Sequence, residues 1–108
     1  MERYIALAKV VELGSFTRAA EILGYTQPAM SQMIASLERE LGFKLLYRSR
    51  YGVRPTPEGE RLLPAVSASV AQFQTMQNIA GEIRGLESGV VRVSTNSFSA
   101  YSAYRSLP

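Results

Sequence analysis

The sequence predicts a mainly α-helical protein whose helices are interrupted once, by a short two-stranded β-hairpin. Three observations carry that expectation. Apolar residues recur at three- and four-residue spacings in four separate stretches before residue 85. Ser15, Thr26 and Thr56 stand just ahead of three of those stretches, and Gly24 and Gly42 close two of them, as start and stop signals should. Only the segment around 44–55 departs from the helical period, with an aromatic, β-favouring run that turns at Tyr51-Gly52.

The first twelve residues, with Tyr4, Ile5, Leu7, Ala8 and Val11, form a core helix. A second helix starts at the N-cap Ser15, whose side-chain oxygen can accept from the free N–H groups of the first turn. Phe16, Ala19, Ala20 and Leu23 then make one apolar stripe, and the two alanines allow a neighbouring helix to come close. Gly24-Tyr25 is the turn, Gly24 taking the left-handed position after the last apolar residue. Thr26 caps the third helix, and Pro28 is tolerated in its first turn because no intrahelical partner is lost there.

That third helix is two-sided. Met30, Met33, Ile34, Leu37 and Leu41 share one face; Pro28, Ser31, Gln32, Ala35, Ser36 and Arg39 share the other. The front of the polar face is small or uncharged, whereas a solvated face more often carries Lys and Glu, as Glu38-Arg39-Glu40 does. Such a face suits entry into a DNA major groove, where a glutamine amide can meet adenine N6 and N7. On these residues alone, a groove reader and an ordinary surface helix both remain open.

The next segment favours the groove. Lys44-Leu45-Leu46-Tyr47 reads as a short strand after Gly42, and Arg48-Ser49-Arg50-Tyr51-Gly52-Val53-Arg54-Pro55 completes a hairpin. Between Lys44 and Arg54 there are four basic residues and no acidic one. A hairpin of this kind after a helix-turn-helix is a wing, and its arginines can meet phosphates or enter a narrow minor groove.

Thr56-Pro57-Glu58 restarts a helix with a cap, a proline in its first turn and an acid near the positive end of the dipole. Leu63, Val66, Val70, Phe73, Ala80 and Ile83 line it to about Arg84, and Leu62, Met76 and Ile79 widen the stripe. At about 28 residues it would be roughly 42 Å long, too long for a compact domain of this size to cover. The stripe is therefore expected to pack on the same helix of a second copy. Pro64 is expected to kink or overwind the first turns, separating a part that packs on the winged domain from a part that dimerises. Gly85 and Gly89 bracket the helix end, and Val90-Val91-Arg92-Val93-Ser94 is a β-rich run.

The order of these residues resembles the LysR-type transcriptional regulators. The matching text is Gly14-Ser15-Phe16-Thr17-Arg18-Ala19-Ala20, Gln27-Pro28-Ala29-Met30-Ser31 and Leu37-Glu38-Arg39-Glu40-Leu41-Gly42. Leu45-Leu46-Tyr47-Arg48 and Thr56-Pro57-Glu58-Gly59 follow in order, so the likeness runs over nearly the whole chain. It implies a winged helix-turn-helix DNA-binding domain over 1–57, a linker and dimerisation helix over 58–86, and over 87–108 a hinge with the start of an effector-binding domain. That last domain is expected to be truncated here, with the residues after about 88 poorly ordered.

Carried over by position, the resemblance places DNA contacts on Thr17 and Arg18, and base readout on Gln27, Pro28, Ser31 and Gln32. Wing contacts fall on Arg48, Arg50 and Arg54. Arginine is frequent in the family at the site held here by Gln32, and phenylalanine at that held by Leu46, a change read as core packing. The implied partners are double-stranded DNA and a second copy of the chain, with a dimer of dimers in a full-length protein. Any small-molecule effector would belong to the missing domain. The implied location is the bacterial cytoplasm, on the nucleoid.

Global properties agree. The chain has 108 residues, 46% apolar content, a net charge of +3, and neither cysteine nor histidine. Disulfides, Ser-His catalysis and conventional zinc sites are thereby set aside, and neither an enzyme activity nor a metal or cofactor is expected. No apolar run reaches the roughly 18 residues of a membrane span, and the N-terminus does not read as a signal peptide, so a soluble intracellular protein is expected. The rival reading is a winged-helix module that oligomerises or binds proteins without touching DNA. It leaves the neutral helix face and the arginine-rich hairpin without a purpose.

Overall fold

A computed structural model describes residues 1–88, in the order α1 (Glu2–Leu13), α2 (Phe16–Leu23), α3 (Gln27–Leu41), β1 (Leu46–Ser49), β2 (Gly52–Pro55) and α4 (Pro57–Ser88). The β-rich run at 90–94 and the tail to Pro108 lie outside the described residues. The chain divides into two compact units, Met1–Phe73 and Gln74–Pro108. The described part of the second is the continuation of α4.

The caps fall where the residue types place them. Ser15 Oγ accepts from Arg18 N–H at 3.1 Å, and Thr26 Oγ1 accepts from Ala29 N–H at 3.2 Å. Gly24 and Gly42 end α2 and α3 at φ of 83° and 89°, a conformation an L side chain resists. Helices α1, α2 and α3 pack on one another, and α1 also meets β2. Their shared core is Ala6, Leu7, Val10, Phe16, Ala19, Ala20, Met30, Ile34 and Leu37, completed by Leu45, Leu46 and Val66. Full burial of each large aliphatic there is worth roughly 1.5–3 kcal/mol. In α1 the deepest residues include Ala6 and Val10, which the sequence reading had not singled out; Tyr4, Ala8 and Val11 pack around them half-buried.

The hairpin is antiparallel, pairing Leu46 with Pro55, Tyr47 with Arg54, Arg48 with Val53 and Ser49 with Gly52. It starts two residues later than the sequence suggests, because Lys44 and Leu45 are held elsewhere. Glu38 Oε2 accepts from the N–H of Leu45 at 2.7 Å and of Leu46 at 3.3 Å. The Thr56 hydroxyl donates to the Lys44 carbonyl at 2.7 Å and accepts from Gly59 N–H at 3.0 Å, while Thr56 N–H donates to the Leu45 carbonyl at 3.0 Å. The bond from Thr56 N–H continues the register one step beyond Leu46, but the reciprocal bond is lost because Leu45 N–H is given to Glu38 and the Thr56 carbonyl accepts from Glu60 N–H. Val53 N–H, in turn, donates to the Gly14 carbonyl at 3.3 Å, tying β2 to the end of α1.

Helix α4 is longer than expected, passing through Pro64 and beyond Gly85 to Ser88. Along its apolar stripe, Val66 is 3% exposed inside the core of the winged unit, and Leu63 and Val70 pack half-buried against that core. Of the residues expected to dimerise, these three thus also serve the winged unit. The first compact unit runs to Phe73. Further along, Met76, Ile79 and Ile83 are about half exposed, at 56%, 51% and 48%, with Ala80 half-buried among them.

Candidate nucleic-acid interface

The exposed polar face of α3 begins at its first turn. Gln27, Pro28 and Gln32 are exposed and Ser31 is half-buried beside them. Gln27 Nε2 donates to Ser31 Oγ at 3.1 Å, one helical turn on. This bond orients both side chains before any partner arrives, and it engages one end of the Gln27 amide. Gln32 has no such neighbour bond among the described contacts, which leaves both ends of its amide for a bidentate pair with adenine.

The back of the same face is not fully open, as the sequence pattern had suggested. Arg3 Nη1 donates to Ser36 Oγ at 3.0 Å, and Arg3 Nη2 pairs with Glu40. Helix α1 thereby engages Ser36 and Glu40 at the rear of α3, where Arg39 stays exposed, and the front two turns carry no such contact from α1. Periodicity cannot reveal this, because the partner lies 33 residues away in sequence.

Electrostatics separates the helices into two kinds. Neither α2 nor α3 has an acidic residue in its first turn. By contrast α1 carries Glu2 there, and α4 carries Glu58 and Glu60. The positive dipole ends of α2 and α3 are thus left uncompensated by carboxylates, a condition that favours phosphate oxygens. Thr17 and Arg18 sit exposed in the first turn of α2.

The hairpin sorts its arginines by the two-residue period of a strand. Arg48 lies on the face of Leu46, and its guanidinium carbon stands 3.8 Å from the centre of the Phe16 ring. The cation is held beside the first residue of α2, next to Thr17 and Arg18. Arg54 is on the opposite face, paired with Tyr47, and both are exposed. Arg50 and Tyr51 form the tip, where the guanidinium carbon lies 5.3 Å from the Tyr51 ring centre. Wing cations therefore point three ways, a division the charge count did not reveal.

One feature of the site escaped sequence reasoning. Glu38 read as part of a solvated charged run, yet its carboxylate holds the start of the hairpin, and it also faces Lys44 Nζ at 3.8 Å. It fixes the position of the wing relative to the rear of α3. The available signal was its place just before Gly42, where a side chain can reach the N–H groups of the chain that turns back. No group of three or more acidic side chains among the described residues could hold a metal ion. No described helix is long and apolar enough to cross a membrane.

Comparison with known proteins gives the same picture. Residues 1–60 match the family described as bacterial regulatory helix-turn-helix protein, lysR family. The nitrogen assimilation regulatory protein nac of Escherichia coli is 40% identical over 85 residues, covering 79% of this chain and 28% of its own length. The HTH-type transcriptional regulator YvbU of Bacillus subtilis is 37% identical over 97 residues, covering 89% and 32%. The chain thus spans about a third of the length of the curated relatives it matches. Among solved structures, the BenM DNA-binding domain in complex with benA site 1 DNA superposes with a TM-score of 0.68 at 34% identity, covering 77% of this chain and 93% of that one. Oxidised OxyR of Corynebacterium glutamicum gives 0.71 at 32% identity, covering 73% and 26%. Both curated relatives are named as regulatory proteins.

Proposed function

The chain belongs to the LysR family of bacterial helix-turn-helix regulators, and on that premise we propose that it binds double-stranded DNA sequence-specifically, as a dimer on a pseudo-palindromic operator. The observation that carries this reading is the front of α3: an exposed, uncharged, partly pre-oriented face of Gln27, Pro28, Ser31 and Gln32 on a helix whose rear is engaged by α1. Base edges are read by Gln27, Ser31 and Gln32. Thr17, Arg18, Arg48, Arg50 and Arg54, with the dipole ends of α2 and α3, hold phosphates and set register. The similarity to the BenM domain solved on DNA supports the same partner.

Dimerisation is assigned to the apolar residues of α4 that the winged unit leaves uncovered: Met76, Ile79, Ala80 and Ile83, with Phe73 at their start. Recognition helices in such a dimer address half-sites one helical turn apart or a multiple of it. A full-length protein would add the effector-binding domain and a dimer of dimers. Work on DNA places the protein in the bacterial cytoplasm, on the nucleoid.

Two substitutions separate the roles of helix and wing. Gln32→Ala is expected to lose about 1–3 kcal/mol at one or two base positions, measured by competition among single-position variants of a bound duplex. Uniform weakening on all sequences would remove Gln32 from base readout. Arg50→Ala is expected to leave that selectivity intact and make the salt dependence shallower. With about four phosphates neutralised per protomer, the parent should show log affinity falling with log salt at a slope near −7. An unchanged slope in the variant would take Arg50 out of the phosphate contacts.

A further inference from the structure

We propose that Tyr51 is a minor-groove reader that gives the wing a preference for A·T pairs flanking the sequence read by α3; this rests on the DNA-binding reading above. Tyr51 is 86% exposed, the most exposed large apolar side chain among the described residues. It sits at the apex of a tight turn in which Ser49 pairs with Gly52, so only Arg50 and Tyr51 lie between the strands.

The turn is built to hold an aromatic there. Neither Arg50 nor Tyr51 has a positive φ; Gly52 takes it instead, at 124°. Residues at the apex of short hairpins are ordinarily Gly, Asn or Asp, because those types tolerate the backbone and solvent. Here the strain is moved to Gly52, and the apex keeps a large side chain with no apolar neighbour in the core. Tyr51 N–H donates to Ser49 Oγ at 3.1 Å, which fixes the apex backbone. The base of the wing is fixed as well, by Val53 N–H on the Gly14 carbonyl and by Glu38 on Leu45 and Leu46. An exposed aromatic ring is thus carried on a braced hairpin, with a cation 5.3 Å from its centre.

A minor groove matches that chemistry. Its walls are deoxyribose, which an aromatic ring can pack against. Its A·T floor presents only the acceptors adenine N3 and thymine O2, to which the phenol O–H can donate. Narrow A·T tracts also concentrate negative potential in the groove, which favours the nearby Arg50 cation there. A G·C pair adds the guanine N2 amino group to the floor, and that group stands where the ring would enter.

The test uses the full 108-residue chain and a duplex selected by it from a random pool. Each A·T pair outside the half-sites is replaced in turn by G·C and by inosine·C, which keeps the major-groove groups of G·C and lacks the N2 amino group. For the parent, G·C at the wing positions is expected to weaken binding about fivefold or more, and inosine·C to restore it. Tyr51→Ala should bind all three within about twofold while keeping its selectivity inside the half-sites, and Tyr51→Phe should discriminate as the parent does, because the amino group excludes the ring itself. The proposal is overturned if the parent ignores these replacements, if Tyr51→Ala discriminates as the parent does, or if Tyr51→Ala loses half-site selectivity as well. Absence of any sequence-selected duplex would instead overturn the DNA-binding reading, so the two failures are distinguishable.

Discussion

Gly59→Ala is expected to destabilise the winged unit by about 3 kcal/mol, a sign opposite to the usual effect of alanine in a helix. A Cβ on residue 59 would overlap the Leu45 carbonyl oxygen and stand 3.2 Å from its carbon. The obstacle is backbone, and that backbone is held by Thr56 N–H on the same carbonyl and by Glu38 on Leu45 N–H. Neither side can yield without breaking bonds that fix the start of the hairpin. Urea unfolding followed by far-ultraviolet circular dichroism should show the midpoint falling, and DNA affinity should fall with it as the wing shifts. A variant as stable as the parent, or more so, would mean that the approach of α4 to Leu45 is not what positions the wing.

The second large effect divides the stripe of α4 into two parts with different consequences. Val66→Ala removes two methyl groups from a side chain 3% exposed in the core, which should cost about 2 kcal/mol of folding stability at any protein concentration. The double change Ile79→Glu and Ile83→Glu places charges on side chains that are about half exposed. It should leave the unfolding of the winged unit unchanged, shift the mass measured by sedimentation equilibrium from the proposed dimer to the monomer, and weaken operator binding about 100-fold or more through loss of bivalent attachment. Equal stability loss in both variants would show that the far stripe also serves the fold. A dimer that survives the two glutamates would move dimerisation away from α4.

The same division marks where the sequence stops being legible. Local chemistry was readable: Ser15 and Thr26 cap, Gly24 and Gly42 stop, and the apolar faces of α2 and α3 form the core as their periods require. These features depend on residues within one turn of each other. What periodicity cannot say is which surface covers a stripe. Val66 and Ile79 belong to the same pattern, yet one is inside the winged unit and the other is exposed. Polar residues mislead for the same reason. Ser36 belonged by period to the polar face, yet Arg3 of α1 meets it, and Glu38 looked like surface charge until two hairpin N–H groups met it. Arg48 was counted with a wing of equivalent cations, but strand alternation sends it to Phe16 while Arg54 faces the other way. Each depends on a partner outside the residue's own helix or strand.

If the front of α3 reads base sequence in the half-sites, selection of bound duplexes from a random pool by the purified chain, with the mass of the complex recorded, should enrich two inverted half-sites spaced by one helical turn or a multiple, bound by two protomers. Retention of duplexes with no enriched sequence, or no retention at physiological salt, would contradict that reading.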